Sequence, residues 1–198
     1  PVGGIGLTEK ELKKLSRVEL LEMLLIQTRE VERLQAELEK ILRLYGEVDN
    51  SRKIAQLICK ARENAPILTT GELGKAIESA LPKFAEHKFL AKVYQALRIE
   101  VNQEMKSLEK FLSGAAASLK PGGKMVIITY HSLEDRMVKH RFAEWCQGCT
   151  CPKELPICVC GKTPRAKLIT RKAIEPSEEQ IDSNFRVRSA KLRAVVKL

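Results

Sequence analysis

No apolar run in the sequence approaches the roughly 18 residues a membrane span needs, and the first residues carry no signal-peptide pattern. The expectation is a cytoplasmic protein with no membrane partner. Cysteine is nearly missing from most of the chain: five of the six lie between Cys146 and Cys160, and Cys59 stands alone in a helical segment. That uneven layout speaks against a secreted disulfide framework and for a thiol or metal cluster in a reducing compartment. Gly3, Gly4 and Gly6 have no strand before them, so they make a poor nucleotide-binding loop.

What is there is enough for a real core: 198 residues, 44% of them hydrophobic, can form one medium domain or two small ones. A formal net charge of +10, from 35 Lys+Arg against 25 Asp+Glu, favours a polyanionic partner such as nucleic acid over a merely basic surface.

The stretch from Leu119 to Arg136 organises the rest. Pro121, Gly122 and Gly123 stop a helix, and Met125 to Tyr130 is apolar and β-branched enough for a strand buried on both faces. Ser132 is placed to cap the helix that follows. His131, Ser132, Glu134, Asp135 and Arg136 then fall just past the carboxyl end of that strand, where open α/β sheets hold their ligands.

Upstream, Thr8 with Glu11 and Ser16 with Glu19 fit capping boxes, and the sequence reads as helix to about Tyr45. Leu20, Leu24, Val31, Leu34, Leu38 and Ile41 follow alternating three-and-four spacing, a coiled-coil or helical-hairpin seam. It either pairs two chains through residues 20–41 or packs on a helix of its own chain. After a polar break at 46–50, Ile54, Leu57, Ile58 and Ala61 mark a short helix, and Thr69 or Thr70 caps another that turns Leu73, Ile77 and Leu81 inward. Phe89 to Leu112 reads as one long amphipathic helix. On it Arg98 and Asn102 share a face, as a phosphate or base contact or as plain surface.

Downstream, Leu133, Met137, Val138 and Phe142 give the helix after the strand its buried side, completed by Trp145. Cys146, Cys149, Cys151, Cys158 and Cys160 offer four or more sulfurs to a structural zinc, as Cys-x-x-Cys and Cys-x-Cys pairs separated by only six residues, or else stay free or paired thiols. Ala190 to Leu198 alternates as a half-buried strand, with Lys191 and Arg193 on its charged side. Just before it Arg186, Arg188 and Ser189 are suited to phosphate. These five are the second RNA-binding candidate group, against the alternative of a charged strand edge.

Several of these segments together resemble the bacterial S-adenosylmethionine-dependent methyltransferases that modify the N4 amino group of a cytosine in small-subunit ribosomal RNA. They are Tyr45-Gly46-Glu47, Gln95 to Asn102, Leu119-Lys120-Pro121-Gly122-Gly123 with Tyr130 to Arg136, and Arg188 to Arg193. The Cys-rich stretch 149–161 looks like that of some members. The resemblance runs from about Leu44 to Leu198. It implies an α/β fold with an incomplete Rossmann-like methyltransferase sheet, behind a helix of separate character (1–45) and an all-helical substrate-recognition domain (46–112). The α/β part would then be 113–198, with a Cys-rich insert at 146–160.

The implied partner is ribosomal RNA or the small subunit, and the implied cofactor is S-adenosylmethionine. In the family a glycine-rich turn ending in Gly-His-Ser and a following acidic residue hold that donor. Neither occurs here, so no residue is assigned to it and the isolated chain is expected not to methylate. His131, Ser132, Glu134, Asp135 and Arg136 would border the base-binding cleft, or serve only as helix caps and surface pairs. Two other readings stand beside the enzyme: an RNA-binding scaffold that dimerises through residues 20–41, and an artificial fusion without evolved activity.

Overall fold

The computed structural model describes residues 13–152 and 157–198. The Thr8–Glu11 capping box lies outside them. The chain divides into two compact units, Pro1–Val101 and Asn102–Leu198.

The first unit is helical: α1 (Arg17–Gly46), α2 (Ser51–Asn64), α3 (Thr70–Ile77) running into a 3-10 turn (Glu78–Ala80), and α4 (Glu86–Val101). Reciprocal capping boxes start α1 at Ser16 with Glu19 and α3 at Thr69 with Glu72. Leu42, Val48, Ile54, Ala55, Ile58, Leu73, Ile77, Val93 and Ala96 form its core. The seam of α1 divides in two: Leu38 and Ile41 pack against that core, whereas Leu24, Val31 and Leu34 are 63%, 55% and 49% exposed. At the end of α1 a Cβ on Gly46 would lie 2.9 Å from the Lys92 carbonyl of α4, so only glycine permits the two backbones to approach this closely.

The expected single helix from Phe89 to Leu112 is two. Helix α4 ends at Val101, and α5 (Glu104–Ser118) starts after Gln103, whose φ of 53° is left-handed. No Gly or Pro marks this break. The stripe also does not stay inside, since Val101 and Phe111 are 79% and 54% exposed.

The second unit continues with β1 (Lys124–Thr129), α6 (Ser132–Cys146), β2 (Ala166–Leu168), α7 (Glu178–Ser183), a 3-10 turn (Phe185–Ser189) and β3 (Lys191–Lys197). The turn into β1 uses Gly122 at φ 78°, a conformation other residues rarely adopt. The three-stranded sheet has the order β1-β3-β2, with β3 antiparallel to both neighbours. The last strand in sequence is therefore central, so Lys191 and Arg193 do not lie on a charged edge. Leu112 of α5, Val138, Phe142 and Trp145 of α6, Met125 and Ile127 of β1, Ala166 and Val195 form one core. The Phe142 and Trp145 rings lie 5.5 Å apart between centroids.

Strand β1 is not buried on both faces. Met125, Ile127 and Thr129 are buried, but Val126 and Ile128 are 56% and 53% exposed, because α5 and α6 pack on one side of the sheet only. The covered side of β3 is also not its apolar side. Opposite residues in the register share a face, so Arg193 and Val195 go with Ile127 and Met125 toward the helices, and Leu192 and Ala194 go with Ile128 and Val126. The protein is thus a mixed helix-and-sheet structure. Among the described residues no helix is long and apolar enough to cross a membrane.

Candidate active site

The carboxyl end of β1 gathers the residues expected there, with some roles exchanged. His131, not Ser132, is the N-cap of α6: its Nδ1 accepts the Glu134 backbone N–H at 3.3 Å, and the Glu134 carboxylate accepts the His131 and Tyr130 N–H groups at 3.3 and 2.8 Å. An imidazole replaces the usual hydroxyl in a reciprocal capping box. Ser132 occupies the first helical position and is exposed, as is Arg136 one turn on.

Because Nδ1 accepts, a neutral His131 carries its proton on Nε2. That atom is buried and has no hydrogen-bond partner, although Glu134 Oε1 lies 3.4 Å away and Glu104 Oε2 3.8 Å away. The His131 side chain is only 9% exposed, and the two carboxylates are about a quarter exposed. Asn102 donates to Glu104 Oε1 at 3.1 Å. A metal at Nε2 would need its lone pair and would force the proton onto Nδ1, against the Glu134 N–H, so this trio suits a proton-carrying ligand better than an ion. Glu104 escaped the sequence reading because it was counted into a helix interior, whereas it opens the first turn of α5.

Asp135 is committed to the fold. Its carboxylate takes a two-pronged contact from Arg193, Nε to Oδ1 at 2.6 Å and Nη2 to Oδ2 at 2.9 Å, with both side chains mostly buried. The Arg193 guanidinium holds the Asp135 carboxyl below the usual carboxylate range, and the Arg193 charge is strengthened in return. Lys191 lies 3.5 Å from Glu175. Arg186, Arg188 and Ser189 are exposed on the 3-10 turn before β3, where the Arg188 guanidinium sits 4.4 Å above the Phe185 ring. Asn102 lies past the end of α4 and so does not follow Arg98 on a helix face.

A cavity of about 410 Å³ opens on the uncovered side of the sheet, between Ile128, Tyr130 and Leu192 and the segment carrying Pro176, Gln180 and Asn184. Its aromatic and amide members are Tyr130, Gln180 and Asn184, of which Gln180 has no role assigned from the sequence alone. Some fifty residues separate Tyr130 from Gln180, so no local pattern links them.

The cysteines separate as well. Cys149, Cys151, Cys158 and Cys160 bring their sulfurs within 4.8 Å of one another, while Cys146 packs against the core of Leu112, Phe142 and Val195, where burial pushes its thiol up. The expected Cys146-x-x-Cys149 pair is therefore replaced by two Cys-x-Cys pairs.

The glycine turn that precedes β1 has its amides engaged inside the fold, Gly122 N–H on the Lys197 carbonyl at 2.9 Å and Gly123 N–H on the Lys120 carbonyl at 2.8 Å. Neither is left to meet a ligand.

Comparison with known proteins supplies the family. Residues 26–198 match the MraW methylase family. The match begins inside α1, upstream of Leu44, so residues 26–45 of the segment read as separate in character (1–45) lie within the family region. The chain is 47% identical over 167 residues to a ribosomal RNA small subunit methyltransferase H of Symbiobacterium thermophilum, covering 83% of this chain and 52% of the relative. It is 52% identical over 166 residues to the protein of that name from Carboxydothermus hydrogenoformans, covering 83% and 53%. A third, from Pelobacter propionicus, is 50% identical over 165 residues, covering 82% and 53%. The chain thus spans about half the length of these curated relatives. With a family match over most of its residues and half of its aligned positions shared with these relatives, the chain belongs to the MraW methylase family.

Proposed function

We propose that this chain supplies the base-side half of a ribosomal RNA methyl transfer, in which S-adenosylmethionine provides the methyl group and the N4 amine of a small-subunit cytosine receives it. The observation that carries this reading is the buried, unpartnered Nε2 of His131 beside the Glu134 and Glu104 carboxylates. The Watson–Crick edge of cytosine places an acceptor, N3, next to a donor, the N4 amine. An Nε2–H beside a carboxylate oxygen is the complementary pair. Glu134 Oε1 would hold the amine and take the proton it sheds, while the base, unstacked from the RNA, is aligned by these contacts.

The sheet supports an incomplete Rossmann-like reading: β1 and β2, both antiparallel to β3, run parallel to each other, and one face lacks a cover. Arg186, Arg188, Ser189 and Lys191, together with Arg98 and Asn102, are the RNA-side contacts of this reading, while Arg193 acts through Asp135. In this reading the donor site belongs to the part of the relatives' length that the chain does not span, so the chain alone binds small-subunit RNA without methylating it.

Calorimetry with S-adenosylmethionine and salt-dependent RNA binding test the two halves of the statement. Expected are no donor binding, RNA binding that weakens steeply with salt, and a loss of about tenfold in RNA affinity for His131→Ala. Methyl transfer by the purified chain, or no affinity for small-subunit RNA, would overturn it.

A second reading, a scaffold that pairs through residues 20–41, draws on the exposure of Leu24, Val31 and Leu34. Sedimentation of the chain at several concentrations decides it: a concentration-dependent dimer abolished by Leu24→Glu and Leu34→Glu supports pairing, and a monomer throughout excludes it.

A further inference from the structure

Among the described residues between α6 and β2, apolar side chains form no core of their own around the cysteines. Ile157 and Val159 are 75% and 77% exposed, and Cys149, Cys158 and Cys160 are exposed too. The base of the segment is held by the Arg165 N–H on the Trp145 carbonyl at 2.7 Å and by Lys162 Nζ on Gln147 Oε1 at 3.2 Å. Farther out, among the described residues, what converges is sulfur. The Sγ–Sγ separations are 3.3 Å for Cys149–Cys158, 3.9 Å for Cys151–Cys158, 3.6 Å for Cys158–Cys160 and 3.7 Å for Cys149–Cys160.

Those distances discriminate. A disulfide needs about 2.05 Å, and all four cysteines are free. A tetrahedral ion with metal–sulfur bonds of about 2.3 Å sets its four sulfurs about 3.8 Å apart, close to the separations found. An iron–sulfur cluster, with several metal atoms between its thiolates, holds them farther apart.

The backbone around the sulfurs is arranged for thiolates. Cys151 N–H points to Cys149 Sγ at 3.4 Å, two residues back, and the Lys162 amide bonds Cys160 across the same two-residue step. Gly161, at φ 58°, makes the turn of that second knuckle. Amides of Val159 and Cys160 serve Cys151, and the Thr150 amide also serves Cys160. Such N–H···S contacts spread the negative charge that four thiolates and a divalent ion leave behind.

We infer that Cys149, Cys151, Cys158 and Cys160 form a structural zinc site that cross-links the two Cys-x-Cys arms and replaces the missing core of this segment. With four protein ligands the coordination sphere is closed, so the ion binds no substrate and its role is to order the chain between α6 and β2. Binding forms four Zn–S bonds and releases the thiol protons to solvent, with no change of oxidation state.

The test is metal content of the full chain by elemental analysis, with Co²⁺ replacing Zn²⁺ as a visible probe. Expected are about one equivalent of zinc per chain and the intense blue-green spectrum of a tetrahedral S4 cobalt site. Cys151→Ser and Cys158→Ser should abolish stoichiometric binding, and Cys146→Ser should leave it intact. Cys160→His, which keeps a ligand, should retain the ion with a shifted cobalt spectrum, so a loss of binding is not confused with a failure to fold. Iron in place of zinc, no metal uptake by reduced wild-type protein, a Cys149–Cys158 disulfide in the purified chain, or zinc binding untouched by Cys151→Ser would each overturn the proposal.

Discussion

The two faces of the three-stranded sheet reverse the usual expectation. The face under α5 and α6 holds an arginine and a lysine: Arg193 grips Asp135, and Lys197 Nζ donates to the Ala116 carbonyl at 2.9 Å and to that of Leu119, near the end of α5. The other face leaves Val126, Ile128 and Tyr130 more than half exposed. A covered face tolerates charge when each charge has a matched partner, here a carboxylate for the guanidinium and helix-end carbonyls for the ammonium. An open face of valine and isoleucine stabilises nothing until something packs on it.

The contrast can be broken from its covered side first. Phe142→Ala, which hollows the fully buried centre of the helix-covered core, is expected to lower unfolding free energy by about 3–5 kcal/mol in urea denaturation. Asp135→Asn comes next, at about 2 kcal/mol, since it weakens a charged contact and leaves Arg193 without its counter-ion. This effect has a pH signature. The folded carboxyl lies below its unfolded value of about 3.9, so its contribution is complete above that value and is lost as pH falls through the folded value. Stability curves of wild type and Asp135→Asn should therefore converge in acid, and a gap that stays constant to pH 2 would refute the assignment. The smallest effect is expected from the open face: Ile128→Ser should change stability by about 0.5 kcal/mol or less. A loss as large as that of Phe142→Ala would mean the face is covered in solution.

Much of this was legible in the sequence wherever a local rule decides the outcome. The Ser16–Glu19 box, the cap expected at Thr69 or Thr70, the strand after Gly122 and the inward row of Val138, Phe142 and Trp145 each rest on residues a few positions apart. Where the outcome depended on distant neighbours, pattern misled. The alternation of β3 was visible, but nothing local said that its charged side would meet Asp135 of α6. The apolar stripe through Val101 and Phe111 promised one helix, because Asn102 and Gln103 are not breakers by type, and only the left-handed Gln103 ends it. At the site, the position of Glu134 three residues after His131 was a capping signal, yet a histidine is an unusual cap and Ser132 beside it drew the assignment. The metal candidate was found by composition, and its pairing was not, because five cysteines allow more arms than the fold uses.

The central position of β3 also governs the order in which the second unit can form. Its partner β1 lies more than sixty residues earlier, with Thr129 opposite Lys191 at the near end of the ladder. During synthesis, α5, β1 and α6 therefore emerge with no strand to pair with, and β1 presents two free edges until Lys191–Lys197 arrives. Arg193, Val195 and Lys197 then engage α6, the core and α5 in one step. A nascent chain stalled before Lys191 would expose an unpaired strand able to pair with another chain.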